Sequence, residues 1–208
     1  MHSKFILLLF LLVLAELPSM AQKKKKNDYP VDPRGLMVEV SGGINTKVDE
    51  TGMGNIGPAF NLSLAKMFGV HVGMRFGMTL ASNTSKENDT NWVLGEGKYS
   101  QKNISLDFVW DILNTINPDL FFIPFKVYPF IRGNFYLMNN GPLSEGHYAF
   151  EMGIGGGLKL AYSFSERWGV FADAAGVAVS AQALRGSEAT GVVVFPTASL
   201  GLFVNFGF

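Results

Sequence analysis

Leu200-Gly201-Leu202-Phe203-Val204-Asn205-Phe206-Gly207-Phe208 ends the sequence. Leu200, Leu202, Val204, Phe206 and Phe208 alternate with Gly201, Phe203, Asn205 and Gly207. Period two is the period of a β-strand with two unlike faces. One face is large and apolar. The other is mostly small or polar. A single amphipathic strand is common, so the weight of this stretch depends on how often the chain repeats it.

Working back from that end, the repeat is regular. In residues 70–81, Val70, Val72, Met74, Phe76, Met78 and Leu80 alternate with His71, Gly73, Arg75, Gly77, Thr79 and Ala81. In residues 150–164, Phe150, Met152, Ile154, Leu158, Leu160, Tyr162 and Phe164 face away from Glu151, Gly153, Gly155, Gly157, Lys159 and Ala161. Similar segments cover residues 36–44, 59–67, 99–112, 127–137 and 192–208. An eighth, 168–183, shifts parity near Ala174-Ala175-Gly176, which reads as a bulge. Eight strands of about 9–11 residues or near it suit a tilted transmembrane strand, and bacterial barrels have even counts. The connections alternate between short turns and long polar loops, which places both chain ends on the periplasmic side. Residues 111–126 break the pattern. They are long and apolar where a short turn belongs, and Pro124 and Pro129 fit poorly inside a central strand. They read either as a short interfacial helix or as an early start to the fifth strand.

The N-terminus reads as a cleaved signal peptide, residues 1–21: Lys4, an apolar run over 5–15, then Ser19-Met20-Ala21. The run is shorter than the roughly 20 residues a spanning helix needs. Residues 22–34, with four consecutive lysines, form a basic periplasmic tail, and residues 35–208 the barrel. The chain has no Cys, which excludes disulfides, lipoprotein anchoring and thiolate metal sites. Formal net charge is zero, so nothing calls for a nucleic-acid partner. Hydrophobic residues make up 48 % of the chain, yet no helix-length apolar segment follows the signal. That combination fits apolar residues spread over alternate positions of many strands.

Alternation does not say which face lies inside, since a soluble barrel can be apolar within. The second face decides. It is mainly Gly, Ala, Ser and Thr, not the Lys and Glu of a soluble exterior, and small residues suit a narrow lumen. Trp110, Tyr162, Phe164, Trp168, Phe206 and Phe208 fall at one rim, as an aromatic girdle would. The fold class is therefore all-β, an eight-stranded antiparallel up-and-down transmembrane β-barrel.

With the strands placed, residues 36–208 resemble the small outer-membrane barrels of the OmpA/OmpX type. The region from Trp110 through Asn117-Pro118 to Pro129-Phe130 looks like Bacteroidetes-type members. The resemblance is architectural. It implies outer-membrane localisation, contact with outer-membrane lipid and lipopolysaccharide, a monomer, and recognition of Phe206 and Phe208 by the barrel-assembly machinery. No peptidoglycan-binding domain follows the barrel here, so the cell-wall anchoring of two-domain members is not expected.

The inferred lumen carries Glu39, His71, Arg75, Asp107, Arg132, Glu151, Lys159 and Asp173. Hairpin geometry sets Arg75 diagonal to Asp107 and Arg132 near Glu151, an ion-paired core that plugs the barrel. Unpaired, such charges would cost several kcal/mol or so each. A narrow ion path or a transporter for apolar solutes is the first alternative. A lipid-modifying enzyme is the second, but catalysis needs a base beside a nucleophile. His71 points into the lumen, and His147 sits in a loop outside any His-x-Ser arrangement, so no enzyme is expected. Gly153 to Gly157 lack the spacing of a nucleotide loop, and no metal or cofactor is implied. Trp92, in the long loop of residues 82–98, is the candidate contact for an extracellular or envelope partner.

Overall fold

The computed structural model describes residues 35–49, 52–68, 71–84, 98–117, 120, 123–139, 148–180 and 191–207. The signal peptide, the basic tail, Trp92, His147 and Phe208 lie outside the described residues. The elements are β1 Leu36–Asn45, β2 Val48–Asp49, β3 Gly52–Met53, β4 Gly57–Met67, β5 Val72–Thr84, β6 Lys98–Trp110, α1 Ile112–Ile116, β7 Phe125–Asn139, β8 Tyr148–Ser163, β9 Trp168–Ser180 and β10 Val192–Phe206. Eight long strands pair antiparallel in the order β1-β4-β5-β6-β7-β8-β9-β10, and β10 returns to β1. The sheet is closed, so no long strand presents an edge.

Closure is staggered. Following paired residues from Leu36 through Lys66, Met74, Phe108, Ile131, Gly156 and Gly176 leads to Pro196. The Pro196 carbonyl accepts a hydrogen bond from the Thr46 N–H at 3.1 Å. Thr46 lies ten residues beyond Leu36, a stagger that tilts the strands by about 35–45°. β2 continues the β1 line along β10, with Val48 opposite Val194, and turns into β3.

Tight curvature explains the glycines of the inner face. On β8, a Cβ at inward-facing Gly155 would meet the Gly176 carbonyl and the Val177 Cα. Gly42 points outward and a Cβ there meets nothing within 4 Å. Gly155→Ala is expected to cost about 1–3 kcal/mol through overpacking. Gly42→Ala should stay within about 0.5 kcal/mol of wild type. Urea midpoints of the refolded barrels check the contrast.

The outer face is a belt of exposed apolar side chains, among them Phe76, Leu106, Phe108, Ile131, Ile154 and Leu200. Trp110, Tyr162, Phe164 and Trp168 are exposed at the rim shared by Leu36 and Phe206, here the terminal rim.

Two local expectations change. β9 has no bulge: its pairing with β8 and with β10 runs without a skipped residue. The size contrast inverts instead. Ala175, Val177 and Val179 are buried inside, while Ala174 is exposed and Gly176 and Ala178 are half-buried. The irregular stretch 111–126 contains both of its alternatives, α1 and the early start of β7 at Phe125. Asp111 caps α1, its carboxylate accepting from the Asn114 N–H at 3.1 Å. Pro129 pairs with Leu158 on β8 but precedes the β6 ladder, which starts at Phe130. A residue without an N–H is tolerated where one side of its strand is unpaired.

Candidate functional site: the lumen

Inward positions on six strands bring six charges together at mid-height. They are Glu39 on β1, Arg75 on β5, Asp107 on β6, Arg132 on β7, Lys159 on β8 and Asp173 on β9. Three are cations and three are carboxylates, so the cluster is neutral. Arg75 and Arg132 both stand directly across from Asp107. The diagonal expected for Arg75 and Asp107 is thus a direct cross-strand pair.

Asp107 is fully buried and takes both guanidinium groups. Arg75 Nε donates to Oδ2 at 2.6 Å, Arg132 Nε to Oδ1 at 2.7 Å, and Arg132 Nη2 to Oδ2 at 2.9 Å. Charge-assisted, forked bonds of this length are the strong kind. Arg75 Nη1 donates to Asp173 Oδ2 at 2.6 Å and lies 3.6 Å from Glu39 Oε2. Glu39 also pairs with Lys159 and accepts from Ser63 Oγ at 2.9 Å. Arg75 therefore spans the barrel, touching carboxylates from three other strands.

Aromatic rings pack between the charges. The Phe130 ring has the Arg75 guanidinium at 4.5 Å and the Arg132 guanidinium at 4.9 Å. Lys159 Nζ lies 4.6 Å from the Phe171 centroid, 5.8 Å from Tyr128 and 5.9 Å from Phe203. Each ring face attracts a cation it also shields from water. These inward aromatics were a signal the size of the second face obscured. Phe203 sits on the same parity as Gly201 and Asn205, so its direction was readable. Its partners, from other strands, were not.

The lumen is also filled above and below the cluster. Toward the loops, Asn45 Nδ2 donates to Gln101 Oε1 at 2.6 Å, and Asn83 joins Asn45. There Tyr136 and Phe195 meet at 5.3 Å, both almost fully buried. Toward the terminal rim, Met37, Ala65, Met67, Val109, Tyr128, Ala161 and Phe203 form an apolar layer. Lys126 pairs with Asp111 at 3.3 Å beside it. A cavity beside Arg75 and Lys159 measures about 10 Å³.

Two expected members stand apart. Glu151 is inward but opposite Tyr136, whereas Arg132 is opposite Gly155. Four residues separate Glu151 from that level, about 13 Å along a strand. Arg132 is taken by Asp107, its direct partner on β6, and no ion pair reaches Glu151 among the described residues. His71 is not in the lumen. It precedes β5, is exposed, and its Nδ1 lies 3.2 Å from Thr115 Oγ1. Thr115 also accepts from Trp110 Nε1 at 2.8 Å and donates to the Asp111 carbonyl at 2.9 Å. The hydroxyl ties α1 to the terminal rim. Gly153, Gly155 and Gly157 are strand residues of β8. Phe206 is half-exposed at the end of β10.

No family model matches the chain, and no curated protein matches it. Solved structures do. Neisserial surface protein A (NspA) is 15 % identical, with 83 % of this chain and 97 % of that one covered and a TM-score of 0.54. The outer membrane protein OprG from Pseudomonas aeruginosa is 10 % identical, with 86 % and 99 % covered and a TM-score of 0.54. Ail, the attachment invasion locus protein of Yersinia pestis, in complex with the heparin analogue sucrose octasulfate, is 12 % identical, with 83 % and 99 % covered and a TM-score of 0.50. At these identities the likeness is one of fold: an eight-stranded antiparallel closed β-barrel.

Proposed function

We propose that this chain is an outer-membrane β-barrel with a structural or surface-interaction role, its lumen plugged by ion pairs, and that it is not an enzyme. The observation that carries the reading is the neutral six-charge cluster centred on Arg75 and Asp107. Every formal charge in it has an opposite partner, and packed rings fill the gaps. An eight-stranded interior is just wide enough for side chains to fill it. Such a core holds a scaffold rigid and leaves function to the loops. Trp92 remains the loop residue we assign to contact with an extracellular or envelope partner. Phe206 and Phe208 are assigned to the barrel-assembly machinery, and outer-membrane lipid and lipopolysaccharide to the apolar belt.

Two measurements test the setting. Expressed in a Gram-negative cell, the full chain should fractionate with the outer membrane and migrate faster on a gel before heating than after. Recovery as a soluble or inner-membrane protein would sink the reading. Leu106, at the middle of β6, is exposed on the apolar belt. Leu106→Lys should cost about 2–4 kcal/mol in a bilayer, the range for a cation on the lipid face near mid-depth. A loss near zero in vesicles would mean that this face does not meet lipid.

A further inference from the structure

The eight long strands turn a nearly uncharged face outward. Among their described side chains, that face carries no carboxylate and two cations, Lys66 on β4 and Lys102 on β6, both exposed. Lys66 shares the parity of Leu62 and Leu64, and Lys102 that of Ile104, Leu106 and Phe108. Each is set among exposed apolar side chains. Met74 lies opposite Lys66, and Leu80 and Leu137 lie opposite Lys102. Their heights differ. Lys66 is near the terminal rim, because Met74 is two residues from Val72, the partner of Trp110. Lys102 is at the loop end of the belt, one outward pair before Ser82 and Ser100, which are polar and exposed.

Met74 and Leu80 are six residues apart on β5, about 20 Å along a strand. A tilt of about 35–45° makes that roughly 15 Å of height. The stagger of closure climbs toward the loops from β4 through β5 to β6, so the two steps between strands add about 6 Å. The two Cα atoms are thus about 21 Å apart in height. A lysine buries its stem on an apolar surface and carries its ammonium outward to the polar boundary. The outward apolar band of an outer-membrane barrel is about 25 Å tall, and a cation on it destabilises at mid-depth but hardly at all near the edges. We propose that Lys66 and Lys102 are lipid-phosphate binding sites, one at each boundary of the apolar belt. Charge selects the partner. The anionic groups at a membrane boundary are the headgroup phosphates, and the outward face offers no carboxylate to compete with them among its described side chains. The inference rests on the membrane-barrel reading and is separable from it. The loss in Leu106→Lys tests whether this face meets lipid, whereas proximity to phosphorus tests the two lysines.

The test is solid-state NMR of the refolded chain with nitrogen-labelled lysine, in vesicles of phosphatidylcholine and phosphatidylglycerol and in phosphate-free buffer. Lys66→Met and Lys102→Met each remove one lysine Nζ signal and keep the face apolar. A change of gel migration on heating verifies that each variant has folded. In both difference spectra the missing signal is expected to be one that lipid phosphorus dephases, at a distance of about 4 Å set by a charge-assisted hydrogen bond to a phosphate oxygen. A missing signal that phosphorus leaves undephased, in either variant, would overturn the assignment. If Leu106→Lys also costs nothing, the membrane reading fails with it. If Leu106→Lys is costly, the lysine sites alone are lost.

Discussion

Asp107→Asn is expected to destabilise the refolded barrel by about 3–5 kcal/mol, the cost of removing one partner from a buried ion pair. The substitution keeps the volume and removes only the charge and one acceptor site. Among the described residues Asp107 alone pairs with Arg132, and it shares Arg75 with Asp173 and Glu39. Without its carboxylate the mid-lumen cluster has three cations and two anions. Among the described residues no second carboxylate lies within ion-pair distance of Arg132, and Glu151 stands about 13 Å further along the barrel wall. Urea unfolding in lipid vesicles reads the loss. A shift under about 1 kcal/mol would mean that the lumen is wet enough to solvate a free guanidinium, contrary to a packed plug.

Lys159→Met is expected to be nearly as costly, by about 3–5 kcal/mol, and to be rescued by a second substitution. Lys159 neutralises Glu39 from inside a box of Tyr128, Phe171 and Phe203. Methionine fills the box but leaves Glu39 with Arg75 at 3.6 Å and the Ser63 hydroxyl. Adding Glu39→Gln removes the stranded charge. Arg75 and Arg132 then balance Asp107 and Asp173, and the cluster is neutral again. Replacing a buried pair with packed groups of similar volume is often neutral. The double variant should therefore lie within about 1.5 kcal/mol of wild type. A double variant that loses the sum of its single losses would show that the two residues do not act as a pair.

The sequence carried the fold because membrane barrels write it at every second residue. The strand count and the outward face of Leu200, Leu202, Val204 and Phe206 were legible. β9 misled because its rule is size, and near Ala174 both faces carry small residues. The helix α1 and the start of β7 were ambiguous because an apolar run with prolines satisfies either. Pro129 became explicable only once the β6 ladder was seen to begin one residue later.

At the candidate site, parity named the inward charges but not their partners. Pairing depends on register, and register depends on where each hairpin closes. The β7–β8 register sets Arg132 opposite Gly155 and leaves Glu151 near the loops. The β5–β6 and β6–β7 registers make Asp107 the shared partner of two arginines. His71 shared the parity of Gly73 and Arg75 yet lies just before β5, where parity no longer fixes direction. The cage around Lys159 draws on β7, β9 and β10, a contact set that no spacing along one strand encodes.

The most direct measurement is single-channel conductance of the refolded barrel in a planar bilayer, wild type beside Arg75→Ala. Insertion is verified by protease protection. A closed plug predicts a wild-type barrel that is inserted and silent. Steady, saturable openings in the wild type, altered in Arg75→Ala, would contradict it and make the lumen an ion path.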